Sequence, residues 1–235
     1  LPQAARITEL DCLRGIAILL MILFHIVFDL AYFYNWSLDY LHGFWYYQGK
    51  TAAIGFMLVS GISNTLSRRP IRRGLTVFGA GMLITIVTYF YNPAMYIRFG
   101  ILHLLGFSML TAPWLAKQSA LLLTLAGTTL LIMSNWTASL TTTSAWLLPL
   151  GITPTGFASL DYYPLLPWLG VVLYGMAAGK LLYPDRQPLW PSAATCVPIR
   201  TLSWLGRQSL LIYLVHQPVI LVVLSFLHCN LSGKM

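Results

Sequence analysis

Four ionisable side chains, Asp11, Arg14, His25 and Asp29, interrupt one long apolar stretch of this sequence. At about 100° per residue, with Asp11 at zero, Arg14 falls near 300°, His25 near 320° and Asp29 back near 0° on a helix. They share one stripe about 60° wide, while Ile16, Ile18, Leu19, Leu20, Met21, Ile22 and Leu23 are apolar. Ionisable groups are costly in lipid, so the stripe must face protein or water. The chemistry on offer is acid–base. Asp29 is one turn beyond His25, within reach to orient its imidazole or raise its pKa. Arg14 is about 16 Å away toward the other end of the helix, a cation at its mouth. Plainer readings compete: an interfacial Asp11–Arg14 ion pair, and a buried His25–Asp29 hydrogen bond that holds helices together.

Further candidates lie downstream. His42, in Tyr40-Leu41-His42-Gly43-Phe44-Trp45, reads by composition as an interfacial histidine among aromatics. His103, in Arg98-Phe99-Gly100-Ile101-Leu102-His103, enters a later apolar stretch from its outer side. His25, His42 and His103 could converge, but their spacing matches no ligand pattern and no metal is expected. Ser60, Asn64 and Ser67, with Gly55 and Gly61 nearby, predict close helix packing with interhelical hydrogen bonds. In the last apolar stretch Pro218 predicts a kink, and His216, on the face opposite Arg207, reads as a satisfied packing histidine. Asp161, just before Pro164, either caps the helix that follows or helps bind a cationic or hydroxylated substrate.

The elements that must position these groups are membrane helices. Of 235 residues, 57% are hydrophobic and only 9% charged, and mean hydropathy is +0.72. A soluble fold or a disordered chain would be more polar. The apolar runs are continuous and about 20 residues long, unlike the short alternating segments of a barrel. The reading is an all-α, polytopic membrane bundle of about seven helices, near 11–34, 48–67, 74–91, 99–116, 119–135, 164–183 and 203–227, forming a single domain over 1–235. The stretch 144–150 is too short to span and is expected to lie at the interface or re-enter. No cleavable signal peptide is expected, because no small-residue cleavage site follows the long first run.

The net charge of +8 is read as topology, not nucleic-acid binding. The short connection with Arg68, Arg69, Arg72 and Arg73 should be cytoplasmic. Alternating from it places Arg6, Arg14, Lys117, Lys180, Arg186, Arg200 and Arg207 on the same side, and only Lys50, Arg98 and Lys234 outside. The N-terminus is therefore expected inside. Cys12, Cys196 and Cys229 imply neither a disulfide framework nor a zinc site.

Leu10-Asp11-Cys12-Leu13-Arg14-Gly15-Ile16-Ala17-Ile18 after Arg6, then Phe24-His25 and Asp29-Leu30, resembles the start of the heparan-alpha-glucosaminide N-acetyltransferase catalytic family. Gly61-Ile62-Ser63, Gly100-Ile101-Leu102-His103-Leu104-Leu105-Gly106, and Asp161 with Pro164 to Gly170 agree. The separate membrane acyltransferase-3 family opens in a similar way, but the ordered set is more specific. The resemblance covers most of the chain and implies transfer of an acetyl group from cytoplasmic acetyl-CoA to an extracytoplasmic sugar or glycan. The family's catalytic histidine sits in an H-x-x-W element, which His42 and Trp45 match. Where the lysosomal members have an Asn near the end of their first span, this chain has His25, and His103 stands where they have a Gln.

On that resemblance His42 is the first catalytic candidate, with His25 and Asp29 beside it. Arg14, Arg68, Arg72 and Arg73 are candidates for the CoA phosphates, Ser60 or Asn64 for the oxyanion, and Trp45, His103 and Asp161 for the acceptor. A neutral imidazole would take the acceptor's proton near neutral pH. An acetyl-histidine intermediate is the other route. The expected partners are acetyl-CoA as co-substrate, the glycan acceptor, membrane lipids and, as an option, a second copy in a homodimer. The expected location is a bacterial inner membrane. Two alternatives from other classes are a proton-coupled transporter using the His25/Asp29 stripe and a structural membrane subunit.

Overall fold

The computed structural model describes residues 7–137, 139–190 and 196–232, so Arg6 and Lys234 lie outside the described residues. Its elements are α1 (Thr8–Tyr34), α2 (Gly43–Leu66), α3 (Pro70–Tyr91), α4 (Ile101–Leu115), α5 (Ala120–Thr137), a 3-10 helix (Ala145–Leu150), α6 (Leu165–Leu182), α7 (Val197–Arg207) and α8 (Ser209–Ser232). Among the described residues there is no strand, only isolated bridges at Phe99–Tyr162 and Thr141–Thr153. The protein is an all-α polytopic membrane protein. Among the described residues five helices (α1, α3, α5, α6 and most of α8) are long and apolar enough to cross a membrane. Helices occupy all seven expected spans. However, α4 has only 15 residues, and α2, though 24 residues long, carries Gln48, Lys50, Ser60, Ser63 and Asn64.

The helices group into two compact units, one of Met57–Leu189 and one of Arg6–Phe56 with Trp190–Met235. In the first, small residues set the helix crossings. A Cβ at Gly61 would sit on the Val172 carbonyl, and one at Gly175 on the Leu58 carbonyl, so α2 and α6 touch backbone to backbone. Gly127 and Gly170 do the same for α5 and α6, where added Cβ atoms would come within 2.9 and 2.7 Å of the opposing carbonyls. Gly74, Gly81 and Gly106 bring α3 against α4. Lipid tails are as apolar as leucine, so such close approach is what drives helices together in a membrane. Asn64 donates to Ser108 Oγ at 3.3 Å, joining α2 to α4 as the Ser/Asn spacing predicts.

In the second unit α1 is the central strut. Ile18 and Met21 pack with Ala52 of α2, flanked by Ile212 and Tyr213 of α8. Its exposed residues Leu13, Ile16, Leu19 and Leu23 fall between about 80° and 200° on the same wheel, opposite the polar stripe. The stripe thus faces protein.

The last expected span, 203–227, is two helices. Gly206 is pressed against the Asp11 backbone, and the Gln208 N–H is shared among the carbonyls of Trp204, Leu205 and Gly206. That tightening ends α7, and α8 starts afresh and runs on through Pro218. Unlike a span, α7 is amphipathic, with Ser203 and Gly206 buried and Arg200, Trp204 and Arg207 exposed.

Candidate active site

In the second unit, the α1 stripe and its neighbours make three polar stations. At the N-terminal end Arg14 Nη1 donates to Asp11 Oδ1, with Asp11 buried and Arg14 half-buried. α7 crosses here. A Cβ at Gly15 would fall on the Leu202 carbonyl and one at Gly206 on the Asp11 carbonyl, so glycines let the α7 backbone lie directly against the α1 backbone beside this ion pair. The buried Glu9, two residues before Asp11 and off the stripe, is a second acid at this end of α1.

The second station joins α1 to α8. The rings of His25 and His216 meet edge to face, with centroids 4.6 Å apart. His25 Nδ1 lies 2.9 Å from the Met21 carbonyl, and His216 Nδ1 lies 2.6 Å from the Tyr213 carbonyl. A carbonyl only accepts, so both Nδ1 atoms carry hydrogen, and in the neutral rings both Nε2 atoms present lone pairs. His216 Nε2 is buried without a partner. The packing histidine of the sequence reading is therefore not satisfied; it is half of a pair. One turn on, Gln217 Nε2 donates to Asp29 Oδ1 at 2.7 Å. Asp29 does not hold the His25 ring, as the i, i+4 spacing suggested. That bond belongs to the Met21 carbonyl, because χ1 in a helix points the ring back over the preceding turn.

The third station is the loop between α1 and α2. Asn35, in the left-handed region at φ 54°, ends α1. Tyr40 packs on Phe28, and Gln48 Nε2 donates to the Leu20 carbonyl at 2.7 Å, tying the start of α2 to α1. Asp39 Oδ1 accepts the backbone N–H groups of Leu41 and His42 at 3.0 and 2.9 Å. Its Oδ2 stands 3.4 Å from His42 Nδ1. The His42 side chain is 81% exposed, and Trp45 lies one turn into α2, half-buried. The His42 backbone N–H, more than any other neighbour, holds the Asp39 carboxyl below the usual carboxylate range. Asp39 escaped the sequence reading. The D-x-x-H spacing, which lets a carboxylate meet an imidazole three residues on, was the available signal.

In the other unit, two of the expected acceptor residues, His103 and Asp161, are engaged in local structure. His103 is 2% exposed. Its Nδ1 accepts the Gly100 N–H at 3.1 Å, which leaves hydrogen on Nε2, 3.3 Å from Thr85 Oγ1. Asp161 Oδ2 accepts the Ile101 N–H at 2.9 Å, so it caps α4 and not α6 as the sequence suggested. A Cβ at Gly100 would strike that carboxylate, which would have to shift off the Ile101 N–H to make room. Tyr162 donates to the Leu148 carbonyl at 2.7 Å and so holds the 3-10 helix; burial pushes its hydroxyl up to about 12. The Ser60 hydroxyl is buried without a partner. Arg68, Arg69, Arg72 and Arg73 are all exposed around the start of α3. Among the described residues no three His, Cys, Asp or Glu side chains cluster as metal ligands.

Comparison with known proteins gives one match. A profile of the family described as heparan-alpha-glucosaminide N-acetyltransferase, catalytic, matches residues 6–218, nearly the whole chain. No curated protein and no solved structure shows a significant match.

Proposed function

This chain belongs to the heparan-alpha-glucosaminide N-acetyltransferase catalytic family, and from that premise we propose that it moves an acetyl group from cytoplasmic acetyl-CoA to an amine or hydroxyl of an extracytoplasmic sugar or glycan. The family match supports the acetyl transfer. The observation that carries the choice of base is the exposed His42 ring, 3.4 Å from Asp39.

A carboxylate at Nδ1 favours hydrogen on that nitrogen and leaves Nε2 as the base. Nε2 then takes the proton from the acceptor as its lone pair attacks the thioester carbonyl, and the CoA thiolate leaves. Trp45, one turn into α2, offers a flat apolar face for a sugar ring. His25 is a second base on the same reading, since its Nε2 also lacks hydrogen. We assign no substrate contact to His103 or Asp161, whose Nδ1 and Oδ2 atoms serve the start of α4.

Coenzyme A is a polyanion, and arginine is the side chain best shaped to grip phosphate. Arg14, at the N-terminal end of α1, is one partner on this reading. The stretch from Arg14 to His25 covers about 16 Å of helix, comparable with an extended pantetheine arm. Arg68, Arg72 and Arg73 form a further exposed cationic cluster for phosphates. The test is release of free CoA from acetyl-CoA by the purified protein with a panel of amino sugars and exported glycans. His42→Ala should abolish release and leave acetyl-CoA binding largely intact. Wild-type turnover in that variant removes His42 from the mechanism.

A further inference from the structure

Besides His216 Nε2, the α1–α8 contact buries two oxygen atoms that ordinary protonation leaves stranded. Asp29 is fully buried, at 0% exposure. Its Oδ1 accepts from Gln217 Nε2 at 2.7 Å. Its Oδ2 is buried with no partner, and so is Oε1 of the same Gln217. Among the described residues no Lys or Arg pairs with Asp29.

An ionised carboxylate has acceptors only. It would leave Oδ2 and Oε1 as two orphaned acceptors in one buried contact, with a negative charge and a single hydrogen bond to support it. Buried polar groups are paired in native structures, and an unpaired buried charge is far more costly than an unpaired dipole. Turning the Gln217 amide over only exchanges one bond for another, since Nε2 would then face Oδ2 while Oε1 is set against Oδ1, two acceptors in contact. A single hydrogen on Oδ2 resolves both orphans. The acid then donates through Oδ2 to the amide carbonyl while the amide donates to Oδ1, and two planar groups are joined along both edges.

We propose that Asp29 is a neutral carboxylic acid in the folded protein, its Oδ2 hydrogen shared with Gln217 Oε1, so that the two side chains close an acid–amide ring that latches α1 to α8. The ring has a positioning role. Gln217 is adjacent to His216, so fixing one fixes the other, and the latch holds His216 against His25 one turn away. No net charge is buried, which suits a contact between two membrane helices. The bound species is a proton, and the inference stands whether or not the chain transfers acetyl groups.

The test is infrared spectroscopy of the purified protein at neutral pH, with thermal unfolding of variants beside it. The wild type should show a protonated-carboxyl C=O band that vanishes in Asp29→Asn and shifts in Gln217→Leu. Asp29→Asn replaces the acid with an amide that makes the same two bonds, so it should melt at or above the wild type. Asp29→Leu and Gln217→Leu lose the ring and should melt lower. No protonated-carboxyl band in the wild type overturns the proposal, as does an Asp29→Asn that melts as low as Asp29→Leu. Stabilisation of the wild type by added sodium, lost in Asp29→Asn, would also overturn it by showing a cation in place of the proton. The wild-type and Gln217→Leu spectra decide the matter should the Asp29 variants fail to fold.

Discussion

Substituting Gly206 with Ala puts a methyl group where α7 meets the backbone of α1. The new Cβ would overlap the Asp11 carbonyl oxygen, come within 2.7 Å of its carbon and lie 3.0 Å from the Gly15 nitrogen. Carbon contacts are comfortable at about 3.5–4.0 Å, so clearing the overlapped oxygen parts the helices by well over about 1 Å, and a gap of even about 1 Å forfeits roughly half of each neighbouring contact. Overpacking costs about 1–3 kcal/mol, and here the obstacle is backbone, so the upper end applies. Alanine returns about 1 kcal/mol in helix propensity. The net loss is about 2 kcal/mol, or roughly 30-fold in the folding equilibrium. Gly55→Ala is the control, because its Cβ would meet only Ala17 Cβ at 3.8 Å, an ordinary contact. It should be neutral or more stable by up to about 1 kcal/mol. Denaturing-detergent titration of both variants in mixed micelles, followed by tryptophan fluorescence, measures the difference. A Gly206→Ala protein as stable as the wild type, or a Gly55→Ala protein that loses as much, would refute the reasoning. Because Asp11 also holds Arg14, Gly206→Ala should weaken acetyl-CoA binding as well.

Other outcomes follow from the same geometry. Asp39→Asn keeps an oxygen for the N–H groups of Leu41 and His42, so the loop should stay folded while transfer slows; an unchanged rate would separate Asp39 from the chemistry. The Asp39 carboxyl sits below its ordinary value, so its contribution is present above about pH 4 and lost only as pH falls through its lower folded value. The rate should therefore show no carboxylate titration between about pH 5 and 8, and one appearing there and vanishing in Asp39→Asn would contradict the assignment. His103→Leu strips the partners from Gly100 N–H and Thr85 and should destabilise by about 1–3 kcal/mol. Asp161→Ala should cost about 1 kcal/mol as a lost cap. In both, the kcat of the folded protein should hold, and a selective rise in acceptor KM would restore them to the binding site. Arg72→Gln and Arg73→Gln should each raise the acetyl-CoA KM by up to about 5-fold, less at high salt, since both side chains are exposed.

Much of this was legible in the sequence because it rests on helical period. The alignment of Asp11, Arg14, His25 and Asp29 marks the buried face of α1, and the exposed Leu13, Ile16, Leu19 and Leu23 lie on the other side. The Gly55/Gly61 and Ser60/Asn64 spacings likewise signalled close packing, seen at Gly61 on Val172 and Asn64 on Ser108. Contacts between distant segments were not legible. Nothing local to His216 says that it meets His25, or that Gln217 takes the bond expected of Asp29, because that choice is made by how α8 crosses α1. The break at Gln208 was hidden for a similar reason. Apolar residues continue on both sides, and what stops α7 is the pressure of Gly206 on a helix nearly two hundred residues earlier. Asp161 is the converse case. Its capping role was readable, but the helix it caps lies sixty residues back and not ahead.

The central claim is acetyl transfer with His42 as the base, and its most direct measurement is CoA release by the purified protein in single-turnover conditions with an amino-sugar acceptor. The account predicts release in the wild type and a loss of about 10²–10⁴-fold in His42→Ala, with acetyl-CoA affinity preserved. Equal release from both proteins would contradict the choice of base. An absence of acceptor-dependent release from the wild type across all amino sugars and glycans would contradict the transfer itself.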